Sequence, residues 1–123
     1  MPTILRKTPK KQRILSKTDK YKARRKVYNS RQWRDGLRLV QLRKQPLCEV
    51  CLALGDITAG HDVHHRVSMN KAKTESDFYD LAYDEDNLAT LCQYHHSLLH
   101  SKYKGKTVEE LITILKDKPE ENE

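Results

Sequence analysis

Apolar residues are scarce in this chain, at 37% of its 123 residues, below the ~45–50% of an ordinary globular domain. The length makes one domain the natural expectation. A core drawn from so few side chains is small, and small cores need a staple such as a metal ion. Three cysteines cannot form a closed set of disulfides, which excludes a disulfide scaffold and points to a compartment where thiols stay reduced. No apolar run is long enough to cross a bilayer, and the N-terminus has no apolar h-region. The expectation is a soluble, cytoplasmic protein with no membrane partner.

Acids are nearly missing from the first third of the chain. Residues 1–46 hold 16 Lys or Arg against Asp19 and Asp35, a balance of +14, while residues 47–123 hold 8 against 15 acids, a balance of −7. A basic arm on a mildly acidic body suggests a polyanionic partner, with DNA the expected one; a solvated tail that aids solubility is the alternative. Lys and Arg that neutralise phosphates release counterions, so such binding weakens steeply with salt. Arg24, Arg25, Lys26, Arg31 and Arg66 are the candidate nucleic-acid contacts.

Residues 1–26 read as a disordered basic tail, with Pro2 and Pro9 opposing an early helix and a short helix around Lys20–Tyr28 as an option. Residues 27–118 read as the folded domain, and residues 119–123 as a frayed acidic end. Asn29 or Ser30 can cap a helix running to about Lys44, with Trp33, Leu37 and Val40 at i, i+4 and i+7 facing inward. Pro46 ends it. Strands are expected within residues 57–67 and 88–91, a helical turn near Phe78–Ala82, and a helix from Gln93 to Tyr103 stopped by Gly105. Thr107 and Glu110 form a capping box that opens a last amphipathic helix.

All three cysteines and all six histidines lie between Cys48 and His100. Cys48 and Cys51 can bite one ion from a tight knuckle, and Cys92 with His95 can supply a second pair. His61 is a spare candidate for the fourth ligand. Zinc held this way closes a loop of about 40 residues, where a staple contributes most. His64 and His65 are neighbours in an expected strand, so they point to opposite faces and can take different roles. His96 and His100 share one helix face. His64, His96 and His100 together can hold a divalent ion, leaving His65 as a general base.

Residues 48–100 resemble the HNH nuclease family. The matching residues are the Cys48–Cys51 pair, the His64-His65 doublet, Asn87 within Asp86-Asn87-Leu88, and Cys92-Gln93-Tyr94-His95-His96. The stretch Tyr28–Trp33, with Pro46-Leu47-Cys48, is similar to phage and prophage members, and the His96–His100 spacing to the nuclease domains of DNA-cleaving colicins. The resemblance implies an α+β fold, a small ββα-metal core stapled by a structural zinc and flanked by helices. It implies His65 as general base, Asn87 as the residue orienting it, His64 and His96 as ligands of a catalytic ion, and His100 as a further ligand or phosphate contact. Two positions depart from many relatives: His95 replaces a cysteine and His64 an aspartate, and both replacements can ligate a metal.

The implied activity is a metal-dependent DNA endonuclease, nicking or cutting both strands and leaving a 5′-phosphate and a 3′-hydroxyl. Mg2+, Mn2+, Ni2+ and Zn2+ are the candidate catalytic ions. A bacterial or phage-infected cell is the implied setting, with a phage DNA-packaging or other DNA-processing protein as a conceivable partner. The alternative function is a zinc-stapled DNA-binding module without catalysis.

Overall fold

The computed structural model describes residues 13–117. The expected acidic end and the first twelve residues of the expected tail lie outside that range. Residues 17–26 depart from the expected tail, because they belong to helix α1, Lys17–Asn29. Ser16 and Asp19 cap its N-terminus reciprocally, each side chain bonding the other's backbone N–H. Ala23 and Val27, four apart, are buried in the core. A chain this basic still folds here because two small apolar residues on one face suffice to dock it.

The Ser30 hydroxyl accepts from the Trp33 N–H at 3.2 Å, so Ser30 caps the next helical segment as expected. That segment opens as a widened π turn over Gln32–Leu37 and continues as α2, Arg38–Lys44. The i→i+5 turn lengthens the spacing between inward positions. Trp33 is buried at 4% exposure, but Val40 is 38% exposed and Gln41 takes the inward place at 6%. Gln41 meets its burial cost by donating to the Thr90 hydroxyl at 3.0 Å.

Helix α3, Glu49–Ala53, carries the first knuckle. Strand β1, Asp62–His65, pairs antiparallel with β2, Leu88–Leu91, in the register Asp62 to Leu91 and His65 to Leu88. Between them lie a 3-10 turn at Met69–Lys71 and α4, Glu75–Ala82. Helix α5, Gln93–His100, follows β2, and α6, Val108–Asp117, opens with the expected Thr107–Glu110 capping box. Gly60 permits a close crossing, since a Cβ there would lie 2.1 Å from Thr90 Cγ2 and 3.1 Å from the Pro46 carbonyl.

Every residue of β2 is buried, because the hairpin separates two apolar clusters. Leu88 joins Val63, Trp33, Val27 and Phe78 on one side. Ala89 and Leu91 join the cysteines, Leu99, Val108 and Leu111 on the other. The fold is thus α+β, a two-stranded hairpin between helical layers. Strand alternation sends His65 toward the first cluster and His64 toward α5.

Candidate metal centre and active site

Cys48, Cys51, Cys92 and His95 converge, each offering one ligand atom within 4.8 Å of the others. His95 Nδ1 lies 3.6, 3.4 and 3.3 Å from the three sulfurs, and Cys51 Sγ lies 4.0 Å from Cys92 Sγ. Ligands of a tetrahedral zinc, at ~2.3 Å for sulfur and ~2.0 Å for nitrogen, stand roughly 3.5–3.8 Å apart. The four residues therefore fit a zinc ion. Burial pushes the Cys51 thiol up to about 11, so a thiolate at Cys51 requires a compensating cation. His61 lies outside the set; it is exposed and its Nδ1 faces Asp62 Oδ1 at 3.2 Å.

The second knuckle runs straight into α5, with Cys92 at its N-cap. His95 turns inward to the sulfurs, and the next residue, His96, faces β1 instead. His64, His96 and His100 form a second cluster with nitrogens within 4.8 Å. His96 Nε2 and His100 Nε2 are 3.0 Å apart, close to the ~3.0–3.4 Å separating two nitrogens bound at ~2.1 Å to one ion. The other nitrogen of His96, Nδ1, donates to Asp62 Oδ2 at 3.0 Å. That bond fixes the tautomer and leaves Nε2 as a lone-pair donor toward its neighbours. Burial would raise the Asp62 carboxyl, but hydrogen bonds from His61 and His96 hold it below its ordinary value. Burial drives the His64 imidazolium down to about 3, helped by repulsion from His96 and His100.

His65 occupies the other face of β1. Its ring stacks on Trp33 with centroids 4.9 Å apart, and Tyr28 approaches edge-on at 6.1 Å. Its Nε2 lies 3.0 Å from the Ala82 carbonyl, which can only accept. Nε2 therefore carries the hydrogen, and Nδ1 keeps the lone pair in the neutral ring. Burial lowers the His65 pKa, partly opposed by the Ala82 bond.

Asn87, expected to orient His65, makes no hydrogen bond to it among the described residues. Its amide donates to the Val67 and Leu81 carbonyls at 3.0 Å each, and its oxygen accepts from the Val67 N–H at 2.8 Å. It ties the end of α4 to the chain after β1, and the adjacent Ala82 carbonyl reaches His65. Arg66 is likewise not free for a phosphate. Nε donates to the Leu88 carbonyl, and its two terminal nitrogens donate to Glu109 and Glu49. Glu49 in turn accepts from the Thr90 N–H at 2.9 Å, so Arg66 belongs to the scaffold. Of the expected basic contacts, Arg24 lines the cavity at the histidines. Lys26 lines a separate depression beyond α1. Arg25 packs near the Tyr21 ring, and Arg31 is exposed.

That cavity, of about 600 Å³, is bordered by His64, His65, His96 and His100 together, with Arg38 and Lys104 adding positive charge. Asp62, the Ala82 carbonyl, Arg38 and Lys104 were not singled out from the sequence. Asp62 could have been found, since it lies two residues before His64 on the same strand face. A backbone carbonyl has no sequence signature.

Residues 48–102 match the family model described as HNH endonuclease. No curated protein matches the chain. Among solved structures, the chain is similar to the HNH endonuclease of the deep-sea thermophilic bacteriophage GVE2, crystallised with a manganese ion. The two share 30% identity over 71% of this chain and 88% of that one, with a TM-score of 0.60.

Proposed function

The chain belongs to the HNH endonuclease family, and from that premise we propose that this nuclease hydrolyses DNA phosphodiesters in a metal-dependent reaction with His65 as the general base. The observation that carries the reading is the convergence, in one basic cavity, of three imidazoles able to hold an ion and a fourth kept neutral and oriented. His64, His96 and His100 would hold the divalent ion, and Asp62 would fix His96 for that purpose. An ion bound there supplies positive charge beside the phosphate and the departing 3′ oxygen.

The chain's own residues account for the proton. Neutral His65 has Nε2–H engaged with Ala82, so Nδ1 receives the proton of the attacking water. The water oxygen bonds to phosphorus, the P–O3′ bond breaks, and its electron pair stays on the 3′ oxygen, which solvent protonates. A 5′-phosphate and a 3′-hydroxyl result. Trp33 and Tyr28 keep the His65 ring in one orientation, and Asn87 acts through the α4 terminus rather than by touching the base. Cys48, Cys51, Cys92 and His95, holding zinc, would fix the start of α5 and so the direction of His96 and His100. The manganese of the phage neighbour makes Mn2+ the first ion to try.

The test is cleavage of supercoiled plasmid across Mg2+, Mn2+, Ni2+ and Zn2+, comparing the intact chain with His65→Ala. The intact chain should convert plasmid to nicked or linear form with at least one ion. The variant should keep a cooperative thermal transition, at a lower midpoint because the His65 ring is buried against Trp33, and keep DNA binding but lose cleavage. Undiminished cleavage by the variant removes His65 from the role of base, and no cleavage with any ion leaves a DNA-binding module.

A further inference from the structure

Helix α1 carries basic residues on two sides, and the two sides have different surroundings. On one side Lys22 and Lys26 share a depression with Asp19 and Glu75, and Arg13 pairs with Asp19 at 3.0 Å. Acids there offset the positive charge. On the other side Lys17, Lys20 and Arg24 border a groove of about 380 Å³ together with Asn70, and among the described residues no carboxylate lines it. This groove shares Arg24 and Asn70 with the histidine cavity. Two of the three basic heads are also held in place. Arg24 donates to Asn70 Oδ1 at 2.6 Å, and Lys20 Nζ donates to the Asn70 carbonyl at 2.8 Å.

We propose that Lys17, Lys20 and Arg24, the last two held by the Asn70 turn, form a track for the phosphates of one DNA strand leading into the cleavage cavity, while Lys22 and Lys26 take no part. The track rests on the reading of the chain as a DNA nuclease and adds to it where the flanking strand runs. The spacing is suitable. Seven residues of α-helix, from Lys17 to Arg24, rise about 10.5 Å, the axial advance of roughly three phosphates along one strand. Lys20 and Arg24, already oriented by the protein, lose less rotamer freedom when they bind.

The test is binding of the full chain to a labelled duplex by fluorescence anisotropy over a range of salt, without added divalent ion. Binding is then read independently of cutting. The slope of log affinity against log salt should flatten by about 2–3 in K17Q/K20Q/R24Q, at ~0.9 per phosphate contact, and by less than about 1 in K22Q/K26Q, which removes a similar kind of charge from the other side. Asn70→Ala changes no charge and should weaken binding about 2- to 10-fold by freeing the Arg24 head. Equal flattening in the two lysine-bearing variants, or full affinity in Asn70→Ala, overturns the track in favour of diffuse attraction. Hydrolysis of bis(4-nitrophenyl) phosphate by the intact chain with Mn2+ tests the nuclease chemistry separately. Failure there and in plasmid cleavage with each of Mg2+, Mn2+, Ni2+ and Zn2+ would remove the cleavage reading without altering the binding result.

Discussion

Asp62→Asn isolates the part of the candidate metal site that its ligands cannot supply themselves. Asp62 serves two imidazoles at once, with Oδ2 on His96 Nδ1 at 3.0 Å and Oδ1 on His61 Nδ1 at 3.2 Å. Asparagine keeps the shape but offers one acceptor and one donor. If its oxygen meets His96, the bond survives without the charge; if its NH2 does, the imidazole must shift its hydrogen to Nε2 and that nitrogen can no longer bind a metal. A charged hydrogen bond is about twice as strong as a neutral one, and loss of such an outer partner typically lowers metal affinity ~10–100-fold, or about 1.4–2.7 kcal/mol. The assay is calorimetric titration of Mn2+ into the zinc-containing protein, alongside the Mn2+ concentration that half-saturates plasmid cleavage. Both should rise by that factor, with the thermal midpoint nearly unchanged because Asp62 lies outside the zinc set. An unaltered Mn2+ affinity in both Asp62→Asn and Asp62→Ala would refute the idea that His96 is prepared for the ion by this carboxylate.

Three further outcomes are expected. Stripping zinc with a strong chelator should abolish the cooperative thermal transition, because Cys48, Cys51 and Cys92 form the centre of the second apolar cluster; an unchanged transition rules out a structural role for the site. Arg66→Ala should cost roughly 2 kcal/mol of stability, mainly from the Leu88 and Glu49 bonds since Glu109 is exposed, yet leave the salt slope of DNA binding intact; a flatter slope would return Arg66 to the phosphate-contacting set. Gly60→Ala would press a methyl group against Thr90 and the Pro46 carbonyl, at about 1–3 kcal/mol, and chemical denaturation should show a lower midpoint; wild-type stability would mean that the β1 approach yields more easily than the spacing suggests.

Much of the candidate site was legible in the sequence because ligand chemistry is local. Cys-x-x-Cys and Cys-x-x-His are knuckles by spacing alone, and His96 with His100 share a helix face by periodicity. The doublet His64-His65 divides by strand alternation. The start of α6 after Thr107 followed from capping chemistry, whereas α5 ends at His100, short of the expected Tyr103, and Gly105 at positive φ closes the turns that follow it. The missed features have common causes. Val40 lost its inward place because a π turn changed the period within the segment. Arg24 to Lys26 looked like one charge run, and only the packing of Ala23 and Val27 assigned its members to different sides.

Composition and spacing by themselves determined which ligand types are present, the basic charge of the first third of the chain, and which histidines share a helix face or take opposite faces of a strand, because those depend on which side chains lie a few residues apart. Tertiary structure decided which imidazole met which cluster, with His95 turning to the sulfurs and His61 left outside. It decided that the Ala82 carbonyl, rather than Asn87, bonds His65, and that Arg66 serves the scaffold. Contacts of this kind join residues 17 to 49 positions apart, and their geometry exists only once the hairpin is enclosed between its two helical layers.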